Sequence, residues 1–223
     1  MRMTSPEISQ VVICHGRQAF PAGREHRGNI LSWITLVMAL VGALGWLARP
    51  MLLPSVAKLW TVSDHLDPAD VIVVLGGGVD FRPAAAAALY ARGLAPRIAV
   101  GYSKLDDGFS ENLNREKLLH LGVPASAIVS FAFGPPSTYG EATGILDWAK
   151  TNGIKRVTIP ADIFFSRRVR WIFNHELGPA GIRVSVQAIT PPWYSIDDWW
   201  RHASGWQHFR SELIKFAYYR LRY

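Results

Sequence analysis

Three consecutive glycines follow an apolar run in the stretch VIVVLGGGVDFRP, residues 71–83. A strand that ends in such a turn brings main-chain N–H groups close to a ligand, and the start of the following helix favours an anion. Gly76, Gly77 and Gly78 would form this turn, and Arg82 adds a guanidinium that can pair with phosphate or carboxylate. A tight turn that requires positive φ, with no ligand, explains the same glycines equally well.

The glycine turn does not match the common nucleotide-binding motifs. Phe81 stands where G-x-G-x-x-G needs its third glycine, and no Walker lysine follows. The seven histidines show no paired i, i+4 spacing, no G-x-S-x-G motif occurs, and the single cysteine, Cys14, cannot form an intramolecular disulfide. The sequence therefore predicts neither a metal site nor a serine-hydrolase nucleophile.

The elements that must position these residues alternate between strand and helix. Apolar runs predict strands at residues 70–75, 97–102, 127–131, 156–160 and 182–189. Helical patterns cover residues 83–92, 111–121, 137–150 and 162–177. This alternation predicts an α/β, Rossmann-like fold, with a parallel sheet and helices on both faces. Ligands in such folds bind at the carboxyl ends of the strands.

Residues 30–47, ILSWITLVMALVGALGWL, contain no charged side chain and would span roughly 27 Å as a helix. We expect one transmembrane helix here, because the segment is apolar on all faces and lies between Arg27 and Arg49. A buried helix of a soluble domain is the first alternative. A cleaved signal peptide is the second, and it is disfavoured because no small-x-small site lies near Leu47.

The basic residues around this segment give a weak prediction of orientation. Three arginines precede the segment closely and two basic residues follow it. The excess favours a cytoplasmic tail (residues 1–29), then a juxtamembrane connector (48–68) and a domain outside the cytoplasm (69–223). We therefore expect the chain at the inner (plasma) membrane, with a periplasmic or extracytoplasmic domain.

The formal charge of +7 is divided along the chain. Residues 1–60 hold 6 basic and 2 acidic side chains, and the remainder holds 18 and 15. No dense Lys/Arg tract, zinc finger or aromatic RNA-binding motif occurs in the domain. We therefore expect no nucleic-acid partner.

The C-terminal residues 194–223 differ from the rest of the domain. They are helical in pattern, rich in Trp and Tyr, and end in basic residues. Such a helix either packs its aromatic side chains on the domain or forms an amphipathic surface that rests on a membrane or a partner.

An ordered set of segments resembles the YdcF/SanA/ElyC family, domain of unknown function 218. The segments are DVIVVLGGGVDFRPAAAAALYARGLAPRIAV, SENLNREKLLHLGVP, STYGEA, VTIPADIFFSRRVRWIF and the WW…E..K..YY tail, within residues 70–223. The resemblance implies a Rossmann-like fold, often behind a membrane helix, and a role in cell-envelope integrity and in peptidoglycan or surface-polysaccharide assembly. It also implies S-adenosylmethionine as a possible cofactor, since one member is reported to bind it.

Taken position by position, the resemblance implies candidate ligand-binding residues in four motifs. They are Gly76, Gly77, Gly78 and Arg82, then Ser110, Glu111 and Asn114, then Ser137, Thr138 and Glu141, and finally the arginine pair, Arg167 and Arg168. Asp162, in the same segment as the arginine pair, is a further candidate. The family usually carries an aromatic–His pair ahead of the arginines. Phe164 and Phe165 stand there in this chain, so it lacks that imidazole.

Each of these candidates also has a structural explanation. Thr138 and Glu141 fit a helix capping box, and Glu111 suits the first turn of a helix. Asp162 fits an N-cap, and the arginine pair could be a solvated face.

The positions of the four motifs favour a ligand site. Each motif follows a predicted strand, so all four would meet at one edge of the sheet. There, Arg82, the arginine pair and the glycine N–H groups would suit a phosphate or carboxylate. Glu111, Glu141 and Asp162 could orient hydroxyl groups, or one of them could act as a general base.

The sequence thus predicts a membrane-anchored cell-envelope protein whose domain binds an anionic, nucleotide-like or lipid-linked phosphate. Envelope-assembly proteins are possible partners. One alternative is a transferase or phosphate-ester hydrolase that acts on such a ligand, so whether the chain is an enzyme stays open. The other is a non-catalytic scaffold that holds membrane partners through its aromatic tail.

Overall fold

Five β-strands form one parallel sheet in the computed structural model, which describes residues 25–105 and 109–223, with side chains for 30–105 and 113–223. The strands are β1 (Val71–Val74), β2 (Ile98–Ser103), β3 (Ile128–Phe133), β4 (Arg156–Asp162) and β5 (Arg183–Ile189). Their order is β3-β2-β1-β4-β5, and every neighbouring pair is parallel. This topology, with helices between the strands, confirms the predicted α/β, Rossmann-like fold.

The central strand β1 forms because its β-branched side chains are buried on both faces of the sheet. Val71 and Val73 pack into the apolar cluster on one face, whereas Ile72 and Val74 pack into the cluster on the other. All four side chains are fully buried. At about 1.5 to 3 kcal/mol for each buried side chain of this size, β1 is a rigid support for the turn that follows it.

Helices cover both faces of the sheet. They are α2 (Arg82–Ala91), α3 (Phe109–His120), α4 (Thr138–Thr151), α5 (Ser166–Leu177) and α6 (Ala203–Arg222). Helices α2 and α3 pack on one face, α4 and α5 pack on the other, and α6 packs against α5. The helix predicted to begin at residue 162 begins instead at Ser166, because Asp162 still belongs to β4.

A long helix, α1 (Glu25–Trp60), precedes the sheet. Among the described residues, Ile30–Trp60 is long and apolar enough to cross a membrane, and its most apolar window is not buried. By length and composition this stretch fits a membrane anchor, and a signal sequence passes the same test. The predicted tail, residues 1–29, lies mostly outside the described residues.

Helix α1 continues through Pro50 and Pro54, so the first part of the segment 48–68 is helical. The chain divides into two units, Met1–Leu47 and Ala48–Tyr223. The sheet and helices α2–α6 lie within the second unit.

The strand order places a crevice between the carboxyl ends of β1 and β4. The chain leaves β1 toward β2 on one side, and it leaves β4 toward β5 on the other side. Rossmann-like domains bind their ligands at this reversal point. The glycine turn after β1 and Asp162 at the end of β4 are therefore both at the position expected for a site.

An aromatic cluster joins the end of α1 and α6 to the segment after β4. Its buried members are Ala57, Ile163, Phe164, Tyr194 and Trp199. Trp60 Nε1 donates a hydrogen bond to the carbonyl of Phe164 at 2.9 Å, and the rings of Trp60 and Phe209 are 5.7 Å apart. These contacts hold α6 next to the carboxyl edge of the sheet.

Candidate functional site

The glycine turn has the strained backbone that its sequence predicts. Gly77 and Gly78 have φ values of 76° and 57°, which side chains other than glycine rarely adopt. A Cβ at Gly78 would also lie 2.8 Å from Nε of Arg82. No described residue accepts a hydrogen bond from the N–H of Gly77 or Gly78. The turn is thus confirmed as one that needs glycine, and within the described residues its Gly77 and Gly78 N–H groups have no acceptor.

Arg82, the first residue of α2, fastens the glycine turn to β4. Its Nη1 donates to the carbonyl of Gly76 at 2.6 Å, and its Nη2 pairs with Oδ2 of Asp162 at 3.1 Å. The side chain is buried, and its Nε meets no acceptor among the described residues. A buried, unpartnered guanidinium N–H is costly, so this atom is where a ligand oxygen would gain most.

Asp162 is fully buried and is not the N-cap of α5. The N-cap is Phe165, which has no side-chain cap, whereas Oδ1 of Asp162 accepts a hydrogen bond from the Phe165 N–H at 3.0 Å. The N-cap interpretation was therefore wrong. The carboxylate shapes the turn between β4 and α5 and compensates the charge of Arg82.

Glu141 in the first turn of α4 points at the glycine turn instead of capping its own helix. The predicted capping box of Thr138 and Glu141 was wrong, because Ser137 is the N-cap and its Oγ accepts from the Gly140 N–H at 3.0 Å. Glu141 Oε1 instead accepts from the Gly76 N–H at 2.5 Å. This carboxyl therefore lies directly against the end of β1.

Burial raises the pKa of the Glu141 carboxyl to about 7. The hydrogen bond from Gly76 and the charges of Arg82 and Arg168 lower this pKa, but they offset only part of the desolvation. Glu141 therefore exchanges a proton near neutral pH. A carboxyl with this property in a sheet-edge crevice is a functional-site candidate.

Arg168 forms a second buried ion pair, with a partner from the C-terminal helix. Its Nε and Nη2 donate to the two carboxylate oxygens of Glu212 at 2.8 and 3.0 Å, and its Nη1 donates to Thr138 Oγ1 at 2.6 Å. The bidentate geometry uses most of the guanidinium's donors. Arg168 is thus a buried clamp between α4, α5 and α6, not part of a solvated face.

The ring of Phe165 lies close to both buried guanidiniums. The Cζ atoms of Arg82 and Arg168 are 4.6 and 4.5 Å from its centroid. Cation–π contacts of this kind favour two like charges beside one aromatic ring. Phe165 thereby positions both arginines.

Arg167 does not join this cluster. Its Nε donates to the carbonyl of Trp60 at 2.8 Å, its Nη2 donates to the carbonyl of Leu59, and its guanidinium lies over the Trp60 ring. Carbonyls at the end of a helix attract a cation, so Arg167 caps α1. The two members of the arginine pair therefore contact different parts of the molecule.

The second motif lies in α3, which follows β2. Ser110 and Glu111 belong to its first turn, and their side chains lie outside the described residues. Asn114 is fully buried, and neither atom of its amide group has a hydrogen-bond partner in the described part of the chain. Native proteins rarely leave such an amide unsatisfied, so its partner is a ligand, a water or a group outside the described residues.

Sequence reasoning missed the contributions of His208 and Tyr194. His208, on α6, has its Nε2 3.4 Å from Oδ1 of Asp162, and its Nδ1 is hydrogen-bonded to the Tyr194 hydroxyl. Burial, with the nearby charge of Asp162, raises the pKa of Tyr194, so the phenol stays protonated. No spacing rule links residue 208 to residue 162. The E..K pattern of the tail, which includes Glu212, was the one available signal.

Comparisons with known proteins do not identify the chain. No protein-family model and no curated protein match it. Among solved structures, an uncharacterized protein from Listeria monocytogenes serotype 4b is similar, with a TM-score of 0.35 and 14% identity. The match covers 63% of this chain and 52% of that protein, about half of its length. A likeness this distant carries no information about function.

The end of β2 is described only as far as Leu105, and Asp106 and Asp107, which follow it, lie outside the described residues. Rossmann-like domains usually hold the ribose of a dinucleotide with a carboxylate near the end of the second strand. Residues 103–105 at the end of β2 contain no carboxylate, and Ser103 Oγ donates to the carbonyl of Gly134 at 3.0 Å. The anion-binding groups at the glycine turn are a separate feature.

Proposed function

We propose that this chain is a single-pass membrane protein of the YdcF/SanA/ElyC family that acts in cell-envelope assembly. Its Rossmann-like domain binds a nucleotide-like or lipid-linked phosphate at the glycine turn. One observation carries the ligand class: among the described residues, the N–H groups of Gly77 and Gly78 and the buried Nε of Arg82 have no acceptor, and the Arg82 side chain lies against both glycines. A set of donors such as this suits an oxyanion.

The charges around the turn set a condition on this anion. Asp162 and Glu212 already balance Arg82 and Arg168, so a phosphate would add negative charge to a neutral set. Glu141, with its pKa raised to about 7, can take up a proton in compensation. Binding should therefore draw a proton onto Glu141, and it should weaken as the pH rises above about 7.

An enzyme is the second candidate, and Glu141 is the observation that favours it. A carboxyl with a pKa of about 7 can give or take a proton at neutral pH, as a general acid or base does. Glu141 would take the proton of an attacking water or hydroxyl group, or give one to the leaving oxygen of a phosphate ester. The glycine N–H groups and Arg82 would hold the phosphoryl oxygens.

Two substitutions at Gly77 test the anion site. The position has a φ of 76°, which Asp and Asn tolerate better than most residues, and a Cβ there would meet only Arg82 Nη1, at 3.7 Å. Gly77→Asp places a carboxylate where the anion would bind, and Gly77→Asn adds the same bulk without the charge. Native mass spectrometry of the full chain in detergent, with polyprenyl phosphate and uridine diphosphate added as probes, measures the bound anion.

We expect Gly77→Asn to retain its affinity for the anion and Gly77→Asp to bind the anion about 10- to 100-fold more weakly. Equal binding by the two variants would contradict the site. Equal melting temperatures for the two variants would show that the difference comes from charge and not from damage to the fold.

Glu141→Gln separates the two candidate functions. Gln keeps the shape of a protonated Glu but cannot transfer a proton. For an enzyme, turnover of polyprenyl phosphate or nucleotide esters should fall by about 10²- to 10⁴-fold while binding persists. The matched control is Glu116→Gln on the exposed side of α3, which should change neither turnover nor binding. A wild-type chain that binds the probes and turns none of them over supports the binding protein.

Membrane orientation has its own test. A phosphatase that is active only outside the cytoplasm, fused after Tyr223, should be active if the domain is extracytoplasmic. Activity only with a cytoplasmic reporter at the same position would reverse the proposed topology.

A further inference from the structure

Two neighbouring helices expose apolar side chains on the outside of the domain. These side chains, here called the α1–α6 face, are Met51, Leu52, Val56 and Leu59 on α1, and Leu213, Ile214, Tyr218 and Leu221 on α6. On each helix the four residues follow one another at spacings of one, four and three, which places them on one side of the helix. Single exposed apolar residues are ordinary, but contiguous stripes mark an interaction surface.

The end of α1 contacts the inner face of α6 through Trp60. Trp60 packs edge-on against Phe209 and Phe216, with ring centroids 5.7 and 5.5 Å apart. Ala57 of α1 is fully buried in the same contact region, whereas Ile214 of α6 is 70% exposed and Leu221 is 90% exposed. The described part of the chain therefore covers neither outward stripe, and the contacts of Trp60 join the two helices near the end of α1.

The exposed charged side chains of α6 and of residues 48–60 are basic, and one acidic neighbour, Asp197, pairs with Lys58 at 3.0 Å. The exposed charged side chains of α6 are Arg210, Lys215, Arg220 and Arg222, and its one acidic residue, Glu212, is buried. Residues 48–60 contain no acidic residue. An apolar stripe bordered by basic side chains is typical of a helix that lies in the interface of an anionic bilayer.

A groove of about 460 Å³ lies between α5 and α6, and α6 lines it with Phe216 and Arg220. Its charged side chains include Arg167, Arg170 and Arg220, it has no carboxylate in its lining, and Phe216 and Trp171 provide apolar walls. Arg170 is paired with Asp64 and Arg167 with the end of α1, whereas Arg220 lies over the Trp171 ring. Arg220 is therefore the residue best placed to meet a phosphate.

We infer that the α1–α6 face lies on an anionic phospholipid bilayer and that the groove receives a lipid headgroup phosphate through Arg220. The inference rests on the proposed membrane anchoring, because residues 48–60 form the C-terminal part of the candidate span, Ile30–Trp60. The domain would thus lie against the bilayer and not hang freely from its anchor. This orientation would bring α6, which supplies His208 and Glu212 to the buried cluster, next to lipid-linked substrates.

Fluorescence quenching in nanodiscs tests this surface on the full chain. In a Cys14→Ser background, Ile214→Cys carries the probe, and Leu119→Cys, exposed on α3, is the matched control. The nanodiscs contain lipids spin-labelled near the headgroup, with or without phosphatidylglycerol. We expect strong quenching at position 214 with phosphatidylglycerol and little quenching at position 119.

Charge reversal sharpens the same experiment. Arg220→Glu should weaken the binding of the α1–α6 face to the bilayer, measured by quenching at position 214, by at least about fivefold. This is the effect of one basic residue near an anionic surface. Arg92→Glu, exposed just after α2, should leave the quenching unchanged. Equal effects of the two reversals, or equal quenching without phosphatidylglycerol, would overturn the assignment to anionic headgroups.

The possible outcomes distinguish the bilayer contact of the α1–α6 face from the membrane anchor. A chain that stays in the nanodisc while position 214 is not quenched overturns the bilayer surface and leaves the anchor intact. A chain that leaves the nanodisc overturns both. Disulfide formation between two Ile214→Cys chains without quenching would assign the face to a second copy and would also overturn the inference.

Discussion

The buried ion pairs of Asp162 and Arg168 and the exposed α1–α6 face lie on opposite sides of one helix, α6. Inward, α6 presents His208 and Glu212 to Asp162 and Arg168, in a region that water hardly reaches. Outward, it presents Ile214 and other apolar side chains to solvent. Buried charge and exposed apolar surface both cost free energy in an isolated domain unless something compensates them. Helix α6 therefore has charged residues on its buried side and apolar residues on its exposed side. Both are unusual in a stable domain, and such exceptions are expected at functional sites.

Breaking the Arg168–Glu212 pair should have the largest effect. Glu212→Ala leaves the buried guanidinium without its bidentate partner and should destabilise the full chain by about 3 to 5 kcal/mol in thermal unfolding. The double variant Arg168→Met with Glu212→Leu removes both charges and should recover most of the loss. A cost below about 1 kcal/mol for Glu212→Ala would mean that water solvates the pair, and it would break the contrast between the two sides of α6.

The pH dependence of stability should be the next largest effect. The pKa of Glu141 rises from 4.5 to about 7 on folding, so the folded state binds this proton more tightly than the unfolded state. The protonated carboxyl therefore contributes about 3 kcal/mol to the free energy of unfolding below about pH 4.5. This contribution is lost as the pH rises to about 7. Denaturant unfolding of the wild-type chain and of Glu141→Gln across this range measures the difference. Parallel profiles for the two proteins would contradict the raised pKa.

Gly78→Ala should have a moderate effect. The new Cβ would lie 2.8 Å from Nε of Arg82, at a φ of 57°. We expect a loss of about 1 to 3 kcal/mol in melting experiments. Gly93→Ala is the matched control, because Gly93 has a φ of 73° with no atom within 4 Å of the added Cβ. Equal losses for the two variants would mean that the need for glycine at position 78 comes from its φ alone and not from the contact with Arg82.

Substitutions on the α1–α6 face should have the smallest effect on stability. Ile214→Asn changes a side chain that is 70% exposed, so unfolding in detergent should shift by less than about 0.5 kcal/mol. The same variant should reduce docking on anionic nanodiscs. A large loss of stability in detergent would show that the face packs against the chain itself.

The fold was largely predictable from the sequence. Buried β-branched runs such as Val71–Val74 and the glycines that follow them predicted the strands and the parallel sheet, because local patterning and burial agree there. The start of α5 was misplaced because Asp162 has the chemistry of an N-cap. Its carboxylate instead bonds to Phe165 in a turn and to Arg82 across the crevice, a contact that no local rule contains.

The candidate site was predictable only in part. Residues that follow strands, such as Arg82 and Glu141, meet at one edge of the sheet because parallel topology requires it. Arg167 and Arg168 are adjacent in sequence but point in different directions, as neighbours on a helix do. His208 reaches the site through the packing of α6, which depends on long-range aromatic contacts and not on sequence spacing.

The central claim is that the glycine turn binds an anion whose charge is compensated by a proton on Glu141. Titration of the full chain with sulfate, whose charge is constant between about pH 6 and pH 8, tests this claim most directly. We predict that the wild-type Kd rises by up to about tenfold for each pH unit above about 7, and that Glu141→Gln binds sulfate with a Kd that does not change with pH. Sulfate affinity that is equally independent of pH in both proteins would contradict the claim, as would a wild-type chain that binds no sulfate at pH 6.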